Sequence, residues 1–285
     1  MTNALYDVPA PAKLNLFLHI TGRRADGYHL LQSVFMLIDW CDSLHFELRR
    51  DGQVSRSDAQ AGLPAEDLCV RAARALQAAT GTPLGVHIHL DKRVPSQAGM
   101  GGGSSDAATC LRALQRLWQV RLPEAQLHAL ALGLGADVPF FLGDGHAWVE
   151  GVGERLTPLA LPTARFLVVK PAAGLSTPAI FGAPDLKRDT EAATISGFAA
   201  YEPRQMFEFG RNDLQPVAQS LCPDIRQALD WMSAQGLSGR MTGSGSAVFA
   251  PIPPGMNVDP SPTGLPDGWL VKACSNLESH PLAGW

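Results

Sequence analysis

Residues 95–106 read Pro95-Ser96-Gln97-Ala98-Gly99-Met100-Gly101-Gly102-Gly103-Ser104-Ser105-Asp106, and an apolar stretch of helical spacing follows directly. The glycines remove Cβ atoms that would hold an anion away from the backbone. They also admit positive φ, which lets successive N–H groups turn toward one point. Ser104, Ser105 and Asp106 offer N-cap chemistry, and Ala107, Leu111, Leu114 and Trp118 fall on one helical stripe behind them. A glycine nest that feeds a helix N-terminus is a phosphate site, and the phosphate expected here is that of a nucleotide. Two better-known phosphate loops are excluded. A Walker A loop ends in Gly-Lys-Ser/Thr, and no lysine follows Gly103; the G-x-G-x-x-G dinucleotide pattern is met nowhere in the chain. An isolated triple glycine is also a turn that merely caps a helix, but the longer string from Pro95 to Asp106 favours phosphate.

Other residues invite chemistry less plainly. Asp137 sits in Gly135-Ala136-Asp137-Val138-Pro139, where small residues and a proline fix a turn between apolar segments. A carboxylate there is a candidate base, although an Asp before Val-Pro is more often an ordinary turn former. From the strand pattern alone Lys13 reads first as a solvated strand lysine, and a functional cation is the second reading. A serine hydroxyl from Ser104 or Ser105 is within reach of a Mg²⁺ ion on a phosphate, and the sequence does not choose between them. His87 and His89 have metal-like spacing but no third ligand, so solvent-facing strand residues are expected. Glu150 and Glu154 flank a Gly-Val-Gly turn as weaker metal candidates.

These residues need a scaffold. Lys13 to Ile20 alternates, with Leu14, Leu16, Leu18 and Ile20 on one face and Lys13, Asn15, Phe17 and His19 on the other, which predicts a strand. A charged turn spans Gly22–His29, and Gln32–Ile38 and Ser43–Leu48 are two further predicted strands. Leu68–Ala79 reads as an amphipathic helix and Gly85–Leu90 as a strand. A shorter helix begins near Pro123, and strands lie around Ala147–Glu150 and Phe166–Lys170. Thr157–Thr163 is the predicted boundary between two lobes, 1–160 and 161–285. Pro223–Ala234 is a helix with proline at its start and Gly236 past its end. Thr242-Gly-Ser-Gly-Ser246 is another glycine loop leading into an apolar strand. Pro251–Pro266 is too rich in proline for a normal helix. Strands and helices alternate but group unevenly, which predicts an α+β fold.

The chain's 285 residues suffice for about two domains. With 46% hydrophobic and 18% charged residues, the composition is that of a soluble globular protein. No apolar run reaches the ~18 residues of a membrane span, and the N-terminal stretch predicts no secretory signal. The five cysteines are scattered, with no Cys-x-x-Cys, which argues for a reducing cytoplasm. A net charge of −4 gives no nucleic-acid footprint. No membrane or protein partner is implied.

Taken together, three segments resemble the GHMP small-molecule kinases: Pro11-Ala-Lys-Leu-Asn-Leu16, Pro95 to Asp106, and Met241-Thr-Gly-Ser-Gly-Ser-Ala247, in that order. The longer stretches Ala12–His29, Leu134–Phe140 and Gly151–Pro158 resemble the member of that family whose acceptor is a cytidine diphosphate-linked methylerythritol. The resemblance implies a two-lobed fold. Its N-terminal lobe would have ribosomal-protein-S5-like βα topology and its C-terminal lobe would be an α/β sandwich. It implies ATP as phosphoryl donor with Mg²⁺, and transfer to an alcohol of that small molecule. It makes Asp137 the base and Lys13 its electrostatic partner, and puts the ATP phosphates on Pro95–Ser105 and adenine near Lys92 and Leu68. It further implies Tyr28 and Phe181 stacking on the cytosine, His29 reading the base's edge, and Asn15 and Thr177 holding the rest of the acceptor. Another acceptor (homoserine, mevalonate or a sugar) and a non-catalytic nucleotide-binding role are the rival readings. Two departures from the family pattern stand out. Asp67 occupies a place where asparagine is expected, and Pro251–Pro266 replaces an expected helix.

Overall fold

The alternation from Lys13 to Ile20 is the middle of a much longer strand. In the computed structural model, which describes residues 2–60, 63, 64, 66–259 and 265–285, β1 runs over Ala4–Arg23. It pairs along its whole length with β2, His29–Arg49, in antiparallel register. The two strands expected at Gln32–Ile38 and Ser43–Leu48 are therefore one. The register jumps from Pro11 opposite Cys41 to Ala12 opposite Ile38, so the interruption of alternation at Asp39–Trp40 is a bulge and not a turn.

The chain continues through β3 (Val54–Asp58), α1 (Leu68–Thr80), β4 (Gly85–Asp91), α2 (Gly102–Trp118), α3 (Glu124–Leu134), α4 (Val138–Phe141), β5 (Ala147–Glu150) and β6 (Arg155–Pro158). Among the described residues these strands form one sheet in the order β3-β4-β2-β5-β6, with β1 paired to β2. The second half supplies β7 (Arg165–Lys170), α5 (Thr177–Gly182), α6 (Ile195–Ala199), α7 (Gln215–Leu221), α8 (Pro223–Ala234), β8 (Arg240–Met241), β9 (Val248–Pro251) and β10 (Leu270–Ser275). Its strands form a second sheet, ordered β10-β7-β9-β8. The described part of Pro251–Pro266 holds no helix, and residues 260–264 lie outside the described residues.

The face of β1 expected to be polar is not solvated. Lys13 is 3% exposed, Asn15 1% and Phe17 0%. The cause is layering. Val8, Ala10, Phe35 and Leu37 pack under α1 and α2, while Leu14, Leu16, Met36 and Ile38 pack against Phe166, Val168 and Phe249 of the second sheet. β1 is thus interior on both sides, and the polar residues it carries must find partners inside the protein. The chain's last residues return to the first sheet, where Leu277 N–H donates to Leu37 O and Arg112 donates to Leu282 O. Among the described residues, no helix is long and apolar enough to cross a membrane.

Candidate active site

The glycine string opens α2 differently from expectation. Gly101 is the N-cap, at φ 69°, and no side chain caps the helix. Ser104, Ser105 and Asp106 lie inside the first turns, so they are not the cap. The first-turn amides of Gly102, Gly103 and Ser104 have no intrahelical acceptor, and the helix's positive end faces a cleft of about 660 Å³. Pro95 to Ser104 all line that cleft. Ser104 faces it, whereas Ser105 is fully buried with an unpartnered Oγ, and this separates the two serines that the sequence left equivalent.

The glycines also answer to packing. A Cβ on Gly99 would stand 2.3 Å from Thr242 O, and one on Gly243 would stand 2.5 Å from Gly99 O. The glycine loop and the Thr242–Ser246 loop therefore meet backbone to backbone. A Cβ on Gly101 would strike the Phe141 ring at 2.9 Å. Only around Gly103, where the nearest atom is Leu68 Cδ1 at 3.6 Å, is there ordinary room.

At the other wall Lys13 Nζ lies 3.6 Å from Asp137 Oδ2. The two residues are 124 apart in sequence; β1 carries the first, and the turn before α4 carries the second. Lys13 also donates to Asn15 Oδ1 and sits 4.4 Å over the Phe35 ring. Burial pushes the Lys13 ammonium below its usual range, and Asp137 pulls it back toward the charged form. Asn15 is fixed in turn: its N–H donates to Thr242 Oγ1 (2.9 Å) and its Nδ2 to Ser33 Oγ (2.8 Å). Both ends of the Asn15 amide are thus held by protein partners. Asp137 keeps a third of its side chain exposed to the cleft.

Lys92 and Leu68 line the same cleft, with Leu63, Pro64, Asp67 and Leu90. Lys92 Nζ donates to Asp106 Oδ2 (2.8 Å) and to Asp42. Burial works against that ammonium, yet the two carboxylates hold its pKa above the usual value. Asp42, which the sequence gave no reason to choose, also accepts the Arg93 and Val94 amides. The Asp67 departure is compensated locally. Its carboxylate caps α1 by accepting Val70 N–H at 3.1 Å and pairs with Arg56 at 2.5 Å, and Arg56 is itself buried beside Asp58.

The remaining expectations divide. Thr177 and Phe181 line the cleft, and Thr177 Oγ1 shares a 2.8 Å hydrogen bond with Ser244 Oγ, a residue of the third glycine segment that went unchosen. The His29 ring lies 5.1 Å from that of Phe181. Tyr28 is 65% exposed in the β1–β2 turn and does not line the cleft. His87 and His89 are half-buried and hydrogen-bonded to Ser55 and Ser57. Glu150 is engaged by Gln32, and Glu154 accepts the Val152 amide, both away from the cleft. Asn212, also missed, ties the third segment down by donating to Met241 O and Gly243 O.

Family models place this arrangement. Residues 67–145 match the GHMP kinases N-terminal domain, and residues 203–259 match the GHMP kinases C-terminal domain. A protein of Polaromonas sp. (strain JS666) named 4-diphosphocytidyl-2-C-methyl-D-erythritol kinase is 73% identical, over 99% of this chain and 94% of its own length. The chain belongs to the GHMP kinase family. Among solved GHMP kinases, a 4-(cytidine 5'-diphospho)-2C-methyl-D-erythritol kinase aligns with a TM-score of 0.71 at 37% identity, covering 85% of this chain and 88% of that one. The homoserine kinase of Cytophaga hutchinsonii shares the fold, with a TM-score of 0.66 at 15% identity over 88% of this chain and 86% of its own. The two-lobed α+β architecture is therefore the GHMP kinase fold, and the chain is a small-molecule kinase.

Proposed function

We propose that this GHMP kinase transfers the γ-phosphoryl group of ATP to the 2-hydroxyl of 4-diphosphocytidyl-2-C-methyl-D-erythritol, in the non-mevalonate route to isoprenoid precursors. The observation that carries the reading is the 73% identity, over nearly the whole chain, to a relative of that name. The geometry supports the same chemistry. The open amides of Gly102, Gly103 and Ser104 and the dipole of α2 are suited to cradle the triphosphate. Asp137, exposed to the cleft, is placed to take or orient the acceptor hydroxyl's proton. Lys13, 3.6 Å from that carboxylate, is placed to stabilise the developing alkoxide. A loose transition state needs little activation of the nucleophile, so alignment and charge carry most of the catalysis.

Phosphoryl transfer from ATP calls for Mg²⁺, which neutralises charge on the β- and γ-phosphates when bound. Among the described residues no group of three or more His, Cys, Asp or Glu is placed to hold a metal ion. That donor set fits an ion held mainly by phosphate oxygens, with Ser104 Oγ as the hydroxyl this chain offers. We take residues 1–160 as the lobe bearing the phosphate loop and 161–285 as the second lobe. The five free thiols fit a cytoplasmic setting.

ADP release by the purified protein with Mg-ATP, in the presence of the cytidine compound, homoserine or mevalonate, tests the assignment. Turnover confined to the cytidine compound is expected. Turnover with another acceptor would overturn the substrate assignment, and silence with all three, from protein that binds ATP, would overturn the catalytic one.

A further inference from the structure

Arg188, on the loop after α5, uses every N–H it has. One terminal nitrogen donates to Pro184 O (3.4 Å) and Leu186 O (2.9 Å), the other to Phe181 O (3.3 Å) and Ala183 O (2.7 Å). The remaining donor, Nε–H, points at His29 Nε2 from 3.0 Å. An arginine is charged at all working pH values and has no acceptor. His29 Nε2 must therefore be the acceptor in that contact, which means it carries no proton, and the ring's single proton is on Nδ1. With its other four donors committed to carbonyls, the guanidinium has no rotation left that would release the histidine.

We infer that Arg188 is a positioning residue that locks His29 as the neutral Nδ1–H tautomer, and so makes the site select a cytosine ring over a uracil ring. The inference rests on the nucleoside diphosphate reading above. Cytosine N3 is a bare acceptor that matches a donated Nδ1–H, whereas uracil N3 carries a hydrogen that would face it donor to donor. Among the described residues nothing accepts from His29 Nδ1, so that donor is available to a ligand. The same guanidinium holds the Phe181 carbonyl, and the Phe181 ring lines the cleft 5.1 Å from the imidazole at an interplanar angle of 38°. One side chain thus fixes both the aromatic face and the hydrogen-bonding edge offered to the base. Burial, together with the positive charges of Arg188 and Arg23, pushes His29 toward the neutral form, in line with this geometry.

Long-range ¹H–¹⁵N spectra of the imidazoles at pH 7, with the His29 signal assigned by its loss in His29→Gln, test the tautomer without substrate. Wild-type protein is expected to show His29 protonated on Nδ1, and Arg188→Met a mixture. An Nε2–H ring in the wild type would overturn the inference. Steady-state turnover of the cytidine and uridine versions of the acceptor tests the selectivity. The wild-type preference for cytosine should fall by roughly tenfold to a hundredfold in Arg188→Met, the range for one mispaired buried hydrogen bond. A clasp that only braced the loop would lower turnover of both bases equally, and that result would sink the selectivity claim. Should Arg188→Met fail to fold, His29→Gln serves, because an amide can present either a donor or an acceptor. Preference retained in His29→Gln would exclude His29 as the reader. Absence of turnover with either base in wild-type protein would count against the proposed acceptor instead, and the spectra would still decide the Arg188–His29 pairing.

Discussion

Lys13 and Asp137 are unequal partners. The lysine side chain is 4% exposed and the aspartate 32%, so the cation is a guest of the interior and the carboxylate belongs to the cleft. Breaking such a pair from its two ends should have different consequences. Removing the carboxylate leaves a buried ammonium without its counter-charge, whereas removing the ammonium leaves a carboxylate that water can reach. Asp137→Asn is therefore expected to lower thermal stability and, if the carboxylate serves as base, to cut turnover by about 10²- to 10⁴-fold while ATP still binds. Lys13→Met should lose turnover comparably but cost less stability than Asp137→Asn, because it exchanges a buried charge for an apolar chain of similar length and leaves only the neutral Asn15 Oδ1 short of its donor. Melting curves, ATP binding and turnover measured on both variants separate the roles. Equal destabilisation by the two changes would refute the asymmetry, and near-normal turnover in Asp137→Asn would remove it from the chemistry. Lys13 was legible only through its motif, because its neighbours in sequence read as a solvated strand face. The reason it is buried lies in Phe35 beneath it and in the glycine loop around Gly101, which closes over it from much later in the chain.

Among the elements, those with local signals were readable and those defined by contacts were not. Pro223 and Gly236 bracket α8, and the helix spans the expected Pro223–Ala234. The start of α2 was misplaced because serine and aspartate are good caps in general, while here a glycine with left-handed backbone takes that position and leaves the amides open. The glycines themselves looked alike in sequence. In the fold, Gly99 combines φ 70° with a would-be Cβ contact at 2.3 Å to Thr242 O, whereas Gly103 is helical and has room. Gly99→Ala should thus separate the two glycine loops and lower stability, by about 1–3 kcal/mol for the backbone strain alone. Gly103→Ala should stabilise the helix by about 0.5–1 kcal/mol. If the bare backbone at Gly103 is there for phosphate, that same variant should raise the KM for ATP by about tenfold, or 1.4 kcal/mol. Urea unfolding midpoints and ATP titration decide it. A Gly103→Ala protein with unchanged KM would show that the phosphate rests elsewhere on the loop.

At the scale of the whole molecule, composition announced a globular protein and the strand–helix order an α+β fold, but not how the lobes are stitched together. His280 lies on the segment that returns to the first sheet, where its backbone N–H donates to Asp144 O and its Nδ1 accepts Leu282 N–H. His146, just before β5, accepts Leu37 N–H on Nδ1 at 3.1 Å. Each is buried with an unpartnered Nε2, and burial pulls both from 6.5 to about 4. In the unfolded chain these imidazoles take up protons near pH 6.5, while in the fold they resist until about pH 4. The unfolded state therefore binds more protons throughout that window, and stability falls as pH drops through it. Between pH 7 and pH 5 the loss should be on the order of 2 kcal/mol for each histidine, at 1.36 kcal/mol per pKa unit. The double variant His146→Asn/His280→Asn retains a side-chain oxygen to accept the Leu37 and Leu282 amides but no titrating ring. Its unfolding free energy should change much less over that interval than the wild type's. The residual slope would come from groups such as His19, which burial also pushes toward neutrality. A double variant as acid-sensitive as the wild type would mean that these two rings do not set the molecule's tolerance of low pH.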